Sequence, residues 1–115
     1  MNPISKKIGG VFIPVRNVEN ARDWYCDLLG LPTNGDIFFD HIYVLPLEGP
    51  NIVLDSKLYS PENIFQVPAF QLNTNDIKQA YQYMIEKNVE LITGIEHGHW
   101  FNFKDPDGNI LMICQ

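Results

Sequence analysis

The sequence predicts an α+β fold made of two tandem βαβββ modules, and two internal correspondences indicate it. A strand followed by an amphipathic helix at 11–30 recurs at 70–88, with the helix-capping residue 59 positions further along (17 to 76). The turn sequence "PLEGPN" at 46–51 recurs as "KDPDGN" at 104–109, at a shift of 58 (46 to 104). Similarity at a fixed long period is typical of a repeated supersecondary unit.

Neither module is large enough to bury both faces of its own small sheet, so we expect the two to pack together as one domain over residues 1–115. Module one is predicted at about 8–55 and module two at about 69–115. The segment 56–68 fits neither module and contains two prolines, so it is predicted as a linker.

Both helices carry start and stop signals. Asn17 and Asp76 are good N-cap residues, and Gly30 and Asn88 are suited to the left-handed conformation that ends a helix. Between these caps, apolar residues recur at three- and four-residue steps: Val18, Ala21, Trp24, Tyr25, Leu28 and Leu29, then Ile77, Ala80, Tyr81, Met84 and Ile85.

The strands are predicted from short apolar runs bounded by turn residues. In the "KDPDGN" turn, Asp105 and Asp107 are expected to be turn formers, because Asp accepts hydrogen bonds from nearby backbone N–H groups, and Gly108 supplies a positive φ. The predicted strands lie at 11–15, 35–39, 41–46, 51–55, 70–74, 89–93, 99–104 and 109–114.

Composition excludes several classes of function. The 115 residues are 45% apolar and 19% charged, which is ordinary globular composition, and the net charge of −6 disfavours nucleic-acid binding. No apolar run reaches the ~18–20 residues that span a bilayer, and no signal peptide is expected. The two cysteines have no metal-type spacing. A cytoplasmic protein without nucleic-acid or membrane partners is therefore expected.

Two stretches of the sequence resemble a known protein superfamily. The stretches "VFIPVRNVENARDWYCDLLGL" and "FNFKDPDGNILM" resemble the vicinal oxygen chelate superfamily, the glyoxalase/bleomycin resistance protein/dioxygenase family. The resemblance covers essentially the whole chain. It implies a curved, mixed eight-stranded sheet around a central cup that holds a ligand, with helices on the outer face, and it implies a homodimer.

The resemblance also implies where a metal would lie. Catalytic members hold one divalent ion with His, Glu or Gln side chains from the first and last strand of each module, and the matching positions here are Gly10, Leu54, Ala69 and Met112. None of these offers an imidazole or carboxylate, and a thioether is too soft for Zn, Fe or Mn. We therefore expect no metal cofactor. Asp55 adjoins Leu54, and a one-residue slip would turn it into the cup.

Strand alternation predicts the lining of the cup. The mixture of aromatic, aliphatic and amide side chains suits a small, partly planar organic ligand. The expected ligand-binding residues are Phe12, Leu54, Gln71, Asn73, Trp100, Asn102 and Met112.

One residue, His97, is a candidate for acid–base catalysis. His97 lies three residues before Trp100, in a loop that could reach the mouth of the cup. His41 and His99 correspond across the modules, but alternation puts them on the helix side or at strand ends, where structural roles are expected.

The sequence therefore predicts a small-molecule binding protein of the glyoxalase/bleomycin-resistance type, with an aromatic or heterocyclic ligand. Two alternatives stay open. One is a metal-dependent lyase, isomerase or dioxygenase whose ligands (Asp55, His97, His41 or His99) are displaced from the usual positions. The other is a metal-free catalyst with His97 as general base.

Overall fold

The computed structural model describes all residues from 1 to 115 and divides them into two compact units. Unit 1 is Met1–Tyr59 and unit 2 is Ser60–Gln115, so their boundary lies inside the segment 56–68. Both units have the order βαβββ that the repeat predicts. The elements are β1 (Gly10–Pro14), α1 (Val18–Leu29), β2 (Ile37–Phe38), β3 (Ile42–Leu45), β4 (Asn51–Asp55), β5 (Gln71–Asn73), α2 (Ile77–Glu86), β6 (Glu90–Leu91), β7 (Trp100–Lys104) and β8 (Ile110–Cys114).

The strands form two four-stranded mixed sheets, in the orders β1-β4-β3-β2 and β5-β8-β7-β6. In each sheet the first strand is parallel to the last, and the other neighbours are antiparallel. The eight strands are those expected, but they do not form one continuous ladder, because β1 and β5 each pair with a single strand and end their sheets. Strands β2 and β6 keep only two paired residues each, at the opposite edges.

Helix α1 begins and ends at the predicted signals. The Asn17 side chain accepts a hydrogen bond from the backbone N–H of Asn20 at 2.9 Å, which satisfies one of the free donors of the first turn. Gly30 has φ 69°, and the N–H of Leu31 donates to the carbonyl of Cys26 at 2.9 Å. This left-handed ending stops the helix and turns the chain towards β2.

Helix α2 is capped in the same way. Asp76 accepts from the N–H of Gln79 at 3.1 Å, and Asn88 adopts φ 57° just after the last helical turn. The N–H of Val89 then donates to the carbonyl of Met84 at 3.0 Å, as in a Schellman ending. Neither helix has the length and apolarity required to cross a membrane.

The "DPDGN" turn between β7 and β8 is a hydrogen-bonded unit. The Asp105 carboxylate accepts from the N–H groups of Asp107 and Asn109 and from Asn109 Nδ2, each at 2.9 Å. Gly108 has φ 93°, as a residue without a Cβ allows. The Asn109 side chain also accepts from the N–H of Phe65 at 3.0 Å, so the turn holds the start of unit 2 in place. The predicted role of Asp105 as a turn former is confirmed, and that of the Asp107 side chain stays a prediction.

Each unit also contains a turn of the same type, at 38–41 in unit 1 and at 96–99 in unit 2. His41 N–H donates to the Phe38 carbonyl at 3.1 Å, around two residues with positive φ (Phe39 at 53° and Asp40 at 65°). The segment 96–99 closes in the same way, with φ 51° at its second residue and 69° at its third, and an N–H to carbonyl distance of 2.9 Å. Two positive φ values in succession define the type I′ turn that suits the twist of a hairpin.

Candidate functional site

One face of the unit-1 sheet is covered by α1. The strand register places Ile13, Tyr43 and Leu54 side by side on that face, and all three are almost fully buried. The guanidinium carbon of Arg22, on α1, lies 6.0 Å from the centre of the Tyr43 ring. Alternation turns the intervening side chains to the opposite side. We call that side the unit-1 distal face; its residues are Gly10, Phe12, Pro14, Ile42, Val44, Asn51, Val53 and Asp55.

The unit-2 sheet has the same two-sided design. Phe101 and Phe103 are fully buried, and the ring centre of Tyr81, on α2, lies 5.0 Å from that of Phe101 in an edge-to-face arrangement. These residues mark the helix side of the sheet. The opposite side, the unit-2 distal face, consists of Gln71, Asn73, Trp100, Asn102, Lys104, Ile110, Met112 and Cys114.

Most of the sequence-predicted ligand residues therefore lie on a distal face. The structure brings five of them together in unit 2: Gln71, Asn73, Trp100, Asn102 and Met112. Phe12 lies on the unit-1 distal face, where it is 50% exposed.

The predicted placement of Leu54 is corrected. Its side chain is 0% exposed and faces α1, so it cannot meet a ligand on the distal face. The reason is hairpin length: the loop between the paired ends of β3 and β4 spans 46–51, whereas that between β7 and β8 spans 105–109, one residue fewer. The last strands correspond at a shift of 59, and the counterpart of Met112 is Val53.

With that correction, the positions at which the family resemblance predicts metal ligands are Gly10, Val53, Ala69 and Met112. A Cβ added to Gly10 would lie 3.2 Å from Cγ2 of Val53 and 3.4 Å from the backbone oxygen of Asn51, so this part of the distal face is closely packed. None of the four side chains carries an oxygen or nitrogen donor, and the residues at these positions do not fit a divalent metal. No cluster of three or more His, Cys, Asp or Glu side chains occurs elsewhere in the chain.

Asp55 lies where the one-residue slip considered above would put it, on the distal side of β4. It is 5% exposed, and its Oδ1 lies 2.8 Å from His41 Nδ1 and accepts from the N–H of Lys57 at 2.9 Å. The carboxylate therefore orients the His41 ring and ties the end of β4 to the start of β3. Sequence alone gave no signal for this pair, whose members are 14 residues apart.

Trp100 is held in a fixed orientation at one end of the unit-2 distal face. Its indole Nε1–H donates to Oε2 of Glu96 at 2.9 Å, and the ring of His97 lies 5.0 Å from the indole, centre to centre. His97 itself is exposed and has φ 51° in the turn described above. Glu96 was not among the predicted site residues; its spacing of four from Trp100 across a tight turn was the available signal.

The centre of the unit-2 distal face is polar and well supported. Gln71 Nε2 donates to Asn73 Oδ1 at 3.1 Å, so these two exposed amides are aligned. Asn102 lies opposite Met112, and its backbone is anchored on the other side because its N–H donates to Thr93 Oγ1 at 3.0 Å and its carbonyl accepts from the N–H of Ile92 at 2.9 Å. The Asn102 side-chain oxygen is buried and has no hydrogen-bond partner.

Comparison with known proteins identifies the fold and the family. The sequence profile of the Glyoxalase/Bleomycin resistance protein/Dioxygenase superfamily matches residues 7–113. No curated protein matches the chain in sequence. Among solved structures, a member of this superfamily from Sphaerobacter thermophilus DSM 20745 is 23% identical, with a TM-score of 0.72 over 96% of this chain and 97% of that one.

Two further structures show the same fold at lower or similar identity. TnmS3, an antibiotic binding protein from Streptomyces sp. CB03234, is 21% identical, with a TM-score of 0.75 over 100% of this chain and 98% of that one. Lactoylglutathione lyase from Agrobacterium tumefaciens is 12% identical, with a TM-score of 0.71 over 98% and 95%. The profile match over nearly the full length shows that the chain belongs to the glyoxalase/bleomycin resistance protein/dioxygenase superfamily.

Proposed function

We propose that this protein binds a small aromatic or heterocyclic molecule on its unit-2 distal face, without a metal ion at the positions used by catalytic relatives. The observation that supports this most is the chemistry of that face. A half-buried indole, a thioether and three amides lie on one rigid ladder: Trp100, Met112, Gln71, Asn73 and Asn102. An aromatic wall provides packing area, and a few fixed amides orient the ligand.

The preorganisation of this face favours binding. Trp100 is already fixed by Glu96, and Gln71 is already aligned with Asn73, so a ligand would not have to immobilise these side chains. The loss of side-chain freedom is a main opposing term in association. The name of TnmS3, which describes an antibiotic binding protein, supports the proposal by showing this fold in a ligand-binding role.

Phe12 remains a predicted ligand contact. It lies on the unit-1 distal face beside Val53, on a mostly apolar surface with Asn51 and Asp55 at its ends. That surface offers packing but few hydrogen bonds. The polar selectivity of the protein is therefore assigned to unit 2.

The alternative of a metal-dependent lyase, isomerase or dioxygenase requires displaced ligands. Within unit 1, His41 and Asp55 meet, and their facing atoms are hydrogen-bonded to one another. A metal-free reaction with His97 as base would need that exposed ring to reach a ligand beside Trp100. Binding is the better supported function, and elemental analysis of the purified protein tests the alternative: one Zn, Ni, Mn or Fe per chain would favour the enzyme.

Tryptophan fluorescence tests the proposal, because the chain has two tryptophans, Trp24 in unit 1 and Trp100 in unit 2. A library of aromatic and heterocyclic fragments is titrated into the wild type and into Trp24→Phe and Trp100→Phe. We expect fragments that quench the wild type and Trp24→Phe but leave Trp100→Phe unchanged. Quenching that survives only in Trp100→Phe, or no response from any fragment, would contradict the proposal.

The partners predicted from sequence can be measured separately. The homodimer expected from the family stays a prediction. Analytical ultracentrifugation at micromolar concentration would measure the oligomeric state.

A further inference from the structure

This inference rests on the proposed function and concerns the chemical class of the ligand. It starts from Asn102 Oδ1, the one buried side-chain oxygen or nitrogen in the protein without a hydrogen-bond partner. Buried polar groups are nearly always satisfied, so such an atom on a candidate binding face calls for an explanation. The backbone of Asn102 is engaged, since its N–H and carbonyl both bond to the segment 92–93.

The position of this oxygen is not adjustable by backbone movement. Asn102 is in the middle of β7, with Met112 as its partner on β8 and the 92–93 segment on its other side. A fixed acceptor that no protein group satisfies is poised for a donor from outside the protein. Fixed groups of this kind discriminate strongly between ligands, because a ligand that lacks the matching donor leaves the acceptor unpaired.

We infer that Asn102 is the specificity-determining residue of the site, and that the ligand carries an N–H or O–H group which donates to Asn102 Oδ1. The expected class is an aromatic or heterocyclic compound with a ring N–H, amide N–H or phenolic O–H. Since the oxygen is closed to solvent in the free protein, a neighbouring side chain moves aside on binding. Met112, opposite Asn102 and half-buried, has three rotatable bonds that permit this movement.

The neighbouring amides differ from Asn102 in a way that supplies a control. Gln71 and Asn73 are exposed and hydrogen-bonded to each other, so water or the partner amide satisfies them when no ligand is present. Removing Asn73 therefore takes away a replaceable contact. Removing Asn102 takes away the acceptor that only the ligand satisfies.

The test uses matched probe pairs that differ only in the donor: indole and 1-methylindole, benzimidazole and 1-methylbenzimidazole, 2-naphthol and 2-methoxynaphthalene. Dissociation constants are measured by chemical-shift titration of the ¹⁵N-labelled full chain, for the wild type, Asn102→Leu and Asn73→Leu. We expect the donor member of each pair to bind wild type and Asn73→Leu ~10-fold or more tightly than its methylated partner. In Asn102→Leu this preference is expected to fall below ~3-fold, since no acceptor is left to satisfy.

The outcomes separate the two proposals. Shifts in unit 2 with equal affinity for both members of each pair, or a preference that persists in Asn102→Leu, would overturn the role of Asn102 and leave ligand binding intact. No binding by any probe would overturn both. A second readout needs no ligand: Asn102→Leu should match or exceed the wild type in thermal unfolding midpoint, because it replaces an unsatisfied buried oxygen with carbon. A midpoint lowered by more than ~5 °C would show that the oxygen is satisfied within the protein.

Discussion

Asn109 offers the sharpest test of how the unit-2 framework is held together, and we predict that Asn109→Ala destabilises unit 2 strongly. Its side chain is fully buried and forms bonds in two directions: Oδ1 accepts from the N–H of Phe65 at 3.0 Å, and Nδ2 donates to Asp105 Oδ2 at 2.9 Å. Alanine removes both bonds and leaves a buried carboxylate with one donor fewer. The backbone bond from residue 109 to Asp105 Oδ1 remains available.

The size of the effect follows from these contacts. A neutral hydrogen bond contributes about 0.5–1.5 kcal/mol and one to a charged group about 1.5–3 kcal/mol, so the loss is about 2–4 kcal/mol. For a protein of this size that loss corresponds to a fall of about 8–17 °C in the unfolding midpoint. It is a large part of the stability of an ordinary domain, which is about 5–15 kcal/mol.

Urea unfolding measures the loss of free energy of unfolding caused by Asn109→Ala. The two tryptophans allow each unit to be followed separately. In a Trp24→Phe background the remaining indole, Trp100, reports on unit 2; in a Trp100→Phe background Trp24 reports on unit 1. The matched control is Asn75→Ala, at an exposed position just before α2, where a change within about 0.5 kcal/mol is expected. If Asn109→Ala lowered the free energy of unfolding of unit 2 no more than this control, the turn would not be the anchor described here.

Two further substitution or labelling experiments follow from the same structure. Gly108→Ala should lower the free energy of unfolding by about 1–2 kcal/mol, because φ is 93° there and the new Cβ would lie 3.1 Å from a neighbouring side chain. Gly94→Ala, which meets nothing within 4 Å, is the control, and equal effects in urea unfolding would contradict the argument. For the two free thiols, burial raises the pKa of the Cys26 thiol, whereas Cys114 is only half-buried. An aromatic disulfide reagent should therefore label Cys114 ~10-fold or more faster, and labelling at equal rates would show that Cys26 is accessible.

The local features of the fold could be predicted from the sequence because their causes are local. Asn17 and Gly30 bound α1 through hydrogen bonds within a few residues, and the turn formers of 105–109 act in the same way. The face of β8 was also predicted correctly, since its turn residues fix where the strand starts. The strand bounds that define the two hairpin loops could not be predicted from sequence. These loops differ in length by one residue, and this difference is why Leu54 was predicted on the wrong face.

The chemistry of the site depended on contacts that sequence spacing does not reveal. The His41–Asp55 pair joins the ends of two strands, and the Glu96–Trp100 bond closes across a turn. The unpartnered state of Asn102 Oδ1 is a property of its packed surroundings and has no sequence signature. Alternation could place Asn102 on the distal face, but the unsatisfied state of its oxygen depends on the packed three-dimensional structure.

The repeat shows how one backbone design supports two kinds of surface. At positions related by register, unit 1 has Phe12 and Val44 where unit 2 has Gln71 and Asn102. Apolar side chains on a strand bind almost any apolar molecule and do little to orient it. Fixed amides bind well only a ligand whose donors and acceptors match theirs. Since both surfaces stand on equivalent hydrogen-bonded ladders, side chains alone account for the difference. Selectivity is therefore expected to change with substitutions at Asn102 and its neighbours on the unit-2 distal face.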